Sequence, residues 1–211
     1  MGRNKVISNE YKCIHVHIPR TAGSSIEDVL FNSGRADHRS IHDYRKQCVR
    51  HSKFEKYFKF TFVRNPWSKM VSHFIRHCIS EKSSKGIFES SYQSEFKDWI
   101  GHLPKIGAPK FDKTSNQLGW LCNKKWKDNV APRNFKIDVD FVGRFENLEE
   151  DWDFISQKIN LNSKLSHCRP GILNDENLYP GDYREYYDDE TIEIVCQRYK
   201  DDINFFNYEF E

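Results

Sequence analysis

Apolar residues first gather at Cys13-Ile14-His15-Val16-His17-Ile18, a short β-branched run closed by Pro19, and this pattern predicts a buried strand. Small and hydroxyl residues follow in Arg20-Thr21-Ala22-Gly23-Ser24-Ser25. Ile26-Glu27-Asp28-Val29-Leu30-Phe31 then takes up helical spacing, after a serine able to cap it. The unit reads strand, tight loop, helix. It recurs at Phe58-Lys59-Phe60-Thr61-Phe62-Val63, which leads through Arg64-Asn65-Pro66 into a helix over about 67–79, with Pro66 suited to the first turn. A third strand, Val139-Asp140-Phe141-Val142-Gly143, passes through Arg144-Phe145-Glu146-Asn147 into an amphipathic helix near 148–159. A last helix over about 189–205 sets Ile192, Val195, Cys196, Tyr199 and Ile203 on one side.

Strands that alternate with helices predict the α/β class, a central parallel sheet with helices on both faces. Residues 81–137 fit that scheme poorly, and their Ser, Lys, Pro and Trp content predicts helices and loops inserted above the sheet. The stretch 165–181, with two prolines and two glycines, reads as a long surface loop. No internal repeat is present, and 211 residues accommodate one full-sized domain, 1–211.

Composition changes this picture only modestly. Hydrophobic residues make up 37%, but aromatics reach 15% and supply the buried area that the aliphatics lack. A net charge of +2 points to neither a nucleic-acid partner nor a membrane surface, so any basic site must be local. No apolar leader or membrane-spanning run stands in the sequence, and the expectation is a soluble, cytoplasmic protein, with a luminal domain trimmed from an anchor as the alternative. The six cysteines are scattered without a C-x-x-C pair and read as reduced, packed thiols.

The loop Pro19–Ser25 has what an anion site at a helix N-terminus needs. Gly23 permits close approach, Thr21, Ser24 and Ser25 offer hydroxyl donors, and Arg20 gives fixed positive charge. It is not a Walker A loop, because G-x-x-x-x-G-K-[ST] is absent. From these residues alone a phosphate-type anion site and an ordinary tight turn stand about level.

The segment His17-Ile18-Pro19-Arg20-Thr21-Ala22-Gly23-Ser24-Ser25-Ile26 resembles the 5′-phosphosulfate loop, H-I-P-K-T-A-G-T-S, of sulfotransferases that use 3′-phosphoadenosine 5′-phosphosulfate (PAPS). The branch is the carbohydrate one that includes heparan sulfate 2-O-sulfotransferase and its bacterial relatives. Phe62-Val63-Arg64-Asn65-Pro66-Trp67-Ser68-Lys69-Met70-Val71-Ser72 is similar to that family's 3′-phosphate motif, an Arg with a Ser eight residues later. Val142–Leu148 and Tyr183–Tyr187 match two further segments, and the four occur in the family's order from about residue 13 to 210. The resemblance implies a P-loop-like sulfotransferase fold, PAPS as donor, 3′,5′-adenosine bisphosphate as product, and a hydroxyl acceptor, most naturally a carbohydrate.

It further implies that Arg20, Thr21, Ala22, Gly23, Ser24 and Ser25 hold the phosphosulfate, that Arg64 and Ser72 hold the 3′-phosphate, and that 81–137 and 165–181 shape acceptor choice. Arg suits paired charge-assisted bonds to phosphate. Asp37-His38-Arg39-Ser40-Ile41-His42-Asp43 resembles the segment that carries the family's catalytic base, which points to His38, with His42 one turn on as the runner-up. Trp67 reads as core before adenine platform, and Arg144 as either a ligand contact or a carboxylate partner. His17 reads as packing before site lining. Metal ligation at His73 and His77 is not expected, because no H-E-x-x-H pattern accompanies them. One departure matters: Arg20 stands where the family has Lys. Arg stabilises a leaving phosphate electrostatically but does not readily give up a proton. The site is therefore either an active transferase, the favoured reading, or a silent adenosine-bisphosphate binder. A P-loop-type small-molecule kinase is the remaining rival.

Overall fold

The structure, a computed structural model, describes residues 7–32, 38–48, 53–82, 91–103, 115–124, 134–165 and 182–211. Its centre is a four-stranded sheet in the order β1 (Ile7–Ser8), β2 (Cys13–Val16), β3 (Phe58–Val63), β4 (Phe141–Arg144). β1 is a two-residue antiparallel edge that the hydrophobic pattern does not announce. β2, β3 and β4 run parallel, with Cys13 opposite Phe58 and Val63 opposite Arg144. β3 has the predicted bounds. β2 stops at Val16 because the chain turns there, the Ile18 amide donating back to the Val16 carbonyl at 3.1 Å.

Side chains alternate across the sheet as a strand period of two requires. Ile14, Val16 and Val63 face one core, shared with Met70, Phe74, Phe96, Leu121, Tyr186 and Val195. Cys13, Phe60 and Phe62 face the other, with Ile26, Leu30, Trp152 and Ile155. The first face is covered by α2 (Ile41–Cys48), α4 (Pro66–Lys82), α5 (Tyr92–Gly101), α6 (Leu118–Leu121), α8 (Asp189–Arg198) and α9 (Lys200–Phe206). The second is covered by α1 (Gly23–Phe31) and α7 (Leu148–Lys158). A one-turn helix, α3 (Lys53–Lys56), leads into β3. This is the expected three-layer α/β arrangement.

Two helices depart from expectation for physical reasons. α1 begins at Gly23, earlier than the periodicity predicts. Its cap is left-handed Ala22 (φ 65°) with no side-chain bond, so the anticipated serine cap is not used. The predicted final helix bends at Tyr199 (φ −112°, ψ 24°), dividing α8 from α9. The buried Tyr199 donates its hydroxyl to the Met70 sulfur at 2.7 Å, and the bend carries Asp202 toward α6. Of the region 81–137, the described parts hold α5, α6 and an isolated bridge between Cys122 and Ile137; nearly all of 165–181 lies outside the described residues. Among the described residues no helix is long and apolar enough to cross a membrane. Cys13, Cys78, Cys122 and Cys196 are free thiols.

Candidate active site

The carboxyl ends of parallel strands are where α/β sheets usually take ligands. Here they open into a cavity of about 170 Å³ lined by Arg20 and residues 22–25 after β2, Arg64 and Ser72 after β3, and His17 and Phe145. Among the described residues two guanidinium groups and no carboxylate belong to that lining.

The first wall is the loop after β2. Arg20 (φ 70°) and Ala22 (φ 65°) are both left-handed, a conformation that costs an L-residue about 1 kcal/mol or more, and together they wind the chain into a tight loop ahead of α1. Thr21 braces the loop from within, its buried hydroxyl donating to the Ile18 carbonyl at 2.8 Å, and it is absent from the cavity lining. Ser25 and Ile26 donate to the Ala22 carbonyl, whereas the Gly23 and Ser24 amides open the helix and have no carbonyl one turn back. Gly23 is required by space: a Cβ there would lie 2.1 Å from the His17 ring.

The second wall is the start of α4, and Arg64-Asn65-Pro66 explains its geometry. The Asn65 side-chain oxygen accepts from the amides of Trp67 (3.0 Å) and Ser68 (3.3 Å), capping the helix, and Pro66 has no amide to satisfy. Arg64 precedes the cap, its Nε donating to Ser68 Oγ at 2.9 Å and its Nη1 to the Arg20 carbonyl at 3.4 Å. Its guanidinium lies 4.1 Å from the Phe145 ring centre. Burial, then the charge of Arg20, push Arg64 down to about 10, against the opposing pull of Glu146 and Tyr208, so it remains a cation at neutral pH.

Arg64 and Ser72 were expected to work as a pair. Both line the cavity, but the Ser72 hydroxyl accepts from Arg20 Nε at 2.9 Å, and the hydroxyl partner of Arg64 is Ser68, one turn earlier. Arg20 thus spans from one wall to the other.

His38 lies just before α2. Ser40 caps that helix reciprocally with Asp43: the Asp43 carboxylate accepts from the Ser40 amide (3.3 Å), and Ser40 Oγ accepts from the Asp43 amide (3.4 Å). His38 Nδ1 donates to the His17 carbonyl at 3.2 Å, and its ring centre is 4.4 Å from that of His17. His38 therefore adjoins the cavity through His17. His42 donates from Nδ1 to the Asn123 carbonyl at 3.1 Å and is absent from the cavity lining.

Several participants escape a sequence reading. Phe145 belongs to a recognisable motif, but nothing local marks its ring as the surface under Arg64. Ser68, four residues after Arg64, carries the ordinary i, i+4 signal. The chain Asp202–Gln117–Arg64 has no local signal at all. The fully buried Asp202 carboxylate accepts the amides of Gln117 (2.7 Å) and Leu118 (2.8 Å). Gln117 in turn accepts from the Arg64 amide (2.8 Å) and donates to the Arg64 carbonyl (2.7 Å). Trp67 is core, 2% exposed, donating from Nε1 to the Ile192 carbonyl. Arg144 turns to the C-terminal segment, donating to the Phe206 carbonyl with its guanidinium 4.8 Å from the Tyr208 ring. Among the described residues no group of three or more His, Cys, Asp or Glu side chains is placed to hold a metal.

The sequence matches the sulfotransferase family over residues 3–209. The chain belongs to the sulfotransferase family. Carbohydrate sulfotransferase 10 of Xenopus laevis is 24% identical across 97% of the chain, and carbohydrate sulfotransferase 14 of Danio rerio is 24% identical across 73%. An uncharacterized protein of Archaeoglobus fulgidus is 30% identical over 124 residues, 59% of the chain and 84% of its own length. The chain spans 62% and 47% of the lengths of those two carbohydrate sulfotransferases. No solved structure matches it significantly.

Proposed function

We propose that the chain transfers the sulfuryl group of PAPS to a hydroxyl of a carbohydrate acceptor. The observation that carries this reading is the meeting of Arg20 and Arg64 in one cavity at the N-terminus of α1, with His38 alongside. Family membership supports sulfuryl transfer, and the names of the two vertebrate relatives support a sugar acceptor.

The residues present fit a molecule with two phosphate ends. Gly23 leaves room against the loop, the first amides of α1 supply donors, and two guanidinium groups supply charge. Arg20 and residues 22–25 would hold the 5′-phosphosulfate, with Thr21 bracing the loop from behind; Arg64 and Ser72 would hold the 3′-phosphate. PAPS brings the sulfuryl group, which passes to the acceptor oxygen as the sulfur–oxygen bond to the 5′-phosphate breaks and 3′,5′-adenosine bisphosphate leaves. His38 takes the proton of the acceptor hydroxyl. Arg20 offsets charge on the departing phosphate without itself giving up a proton. Acceptor choice belongs to 81–137 and 165–181.

Two measurements test this. Thermal unfolding with 3′,5′-adenosine bisphosphate against ATP–magnesium should show stabilisation by the bisphosphate, as preferential binding to the folded state requires. The reverse preference would favour a kinase. Transfer of radiolabelled sulfate from PAPS to a panel of polysaccharides and small sugars should be detectable, and His38→Ala should lower it by about 10²- to 10⁴-fold with bisphosphate binding retained. Tight binding without transfer to any sugar, phenol or lipid would identify a silent binding protein.

A further inference from the structure

We infer that His17 and Glu27 are positioning residues for His38, and that they hold its imidazole as the Nδ1–H tautomer, with Nε2 as the basic nitrogen. The inference rests on the proposal that His38 is the proton acceptor.

His17 lines the cavity yet is nearly enclosed, 3% exposed. Its Nδ1 shares a hydrogen with Glu27 Oε1 across 2.8 Å, and both side chains are buried. Its Nε2 edge lies beneath Gly23, where a Cβ would collide at 2.1 Å. The His15 ring stacks against it at 5.6 Å, and the His38 ring meets it edge-on at 4.4 Å. A ring so enclosed cannot change rotamer without moving the loop, the helix or the strand. Its backbone is fixed with it. Residue 17 stands just past the last ladder pair, Val16 with Thr61, and its carbonyl lies 3.2 Å from His38 Nδ1.

A carbonyl oxygen only accepts, so His38 Nδ1 must carry the hydrogen and the lone pair must lie on Nε2. This is the reverse of the tautomer that free histidine favours in water, so the protein has to impose it. Glu27 supplies the anchor. It projects from α1, the helix whose first turn forms the cavity wall, and ties that helix to the end of β2 through His17. One buried contact thereby fixes the anion loop and the base relative to each other. General-base catalysis depends on such placement, since a displacement of about 1 Å can cost about 10²-fold in rate.

Nitrogen-15 NMR of histidine-labelled protein reads the tautomer directly, at a pH where His38 is neutral. The expected wild-type result is Nδ1–H at His38; Nε2–H in the folded wild type overturns the inference without any variant. In Glu27→Ala the Nε2–H form should grow and kcat should fall about 10²-fold, while the bisphosphate Kd changes by less than about threefold. Glu27→Gln, which retains a hydrogen-bonding side chain of the same length, should keep the wild-type tautomer and recover most of kcat. An unchanged tautomer and unchanged kcat in Glu27→Ala would also overturn the inference. Should no acceptor be sulfated by wild type, the functional reading fails, yet the tautomer and its response at Glu27 still decide the positioning.

Discussion

Arg64 sits with its guanidinium 4.1 Å from the Phe145 ring and with Arg20 as a cationic neighbour, so burial and like charge both push its pKa down, to about 10. A second cation in the same small cavity is unfavourable until an anion arrives, and a bisphosphate with one phosphate for each guanidinium relieves both. Arg64→Ala should therefore weaken 3′,5′-adenosine bisphosphate binding by about 10- to 100-fold, since charge-assisted bonds contribute roughly 1.5–3 kcal/mol. Calorimetric titration reads this, and near-normal affinity would sink the phosphate role. Arg64→Lys should recover little, because a compact ammonium cannot bond Ser68 and the Arg20 carbonyl from one planar fork. At this scale much was legible in sequence. Arg64, Asn65 and Pro66 announce a helix start by their chemistry, and Gly23 announces close approach. The Arg20–Ser72 bond was not legible. It joins residues 52 apart, and neither side chain's local sequence says which hydroxyl a guanidinium will choose.

Strands and long helices followed from periodicity because each buries a face whose spacing the chain must display, as Phe60 and Phe62 do in β3 and Met70 and Phe74 do in α4. The bend at Tyr199 was hidden, since i→i−4 bonds continue through it from Tyr199 to Val195 and from Ile203 to Tyr199. Its consequence is long-range. Asp202 on α9 holds the amides that open α6, and Gln117 at that opening holds both backbone groups of Arg64. The C-terminal helix thus braces, by way of Gln117 at the start of α6, a cavity residue 138 positions earlier. Asp202→Ala would leave two buried amides without their acceptor, a loss of about 3 kcal/mol. Urea denaturation should show that loss. Bisphosphate affinity should fall with it in the protein that remains folded, although Asp202 does not line the cavity. A destabilised variant with wild-type affinity would show that α6 keeps Arg64 in place unaided.

Across the whole molecule, the buried titratable groups give the protein a pH dependence with a defined sign. Burial pushes His17 down to about 4, and His15, fully buried, is held well below the ordinary imidazole range by burial and then by the neighbouring His17 and His38. A depressed histidine contributes stability that is complete above its unfolded pKa of about 6.5 and is lost as pH falls toward its folded value. For His17 that is about 3 kcal/mol between pH 6.5 and 4, at roughly 1.4 kcal/mol for each pH unit. Asp202 works in the opposite direction: burial raises it to about 6, so the folded state takes up a proton between pH 6 and 4 that the unfolded state does not. The histidines and Asp202 therefore oppose one another on acidification. His15 can be separated from the rest, because it stacks on Phe60 at 5.1 Å behind His17 and is not part of the cavity lining. Neither of its ring nitrogens has a hydrogen-bond partner among the described residues. His15→Leu removes those buried polar atoms, each of which costs roughly 1–3 kcal/mol, and should raise stability at pH 7. It should also flatten the acid side of the profile below pH 6.5, because the unfolded chain no longer takes up a proton there that the buried ring resists. Urea midpoints for wild type and His15→Leu at pH 7, 6 and 5 test both parts, with the gap between the two proteins widening as pH falls. A constant gap would mean that His15 takes up its proton as readily in the folded core as in the unfolded chain.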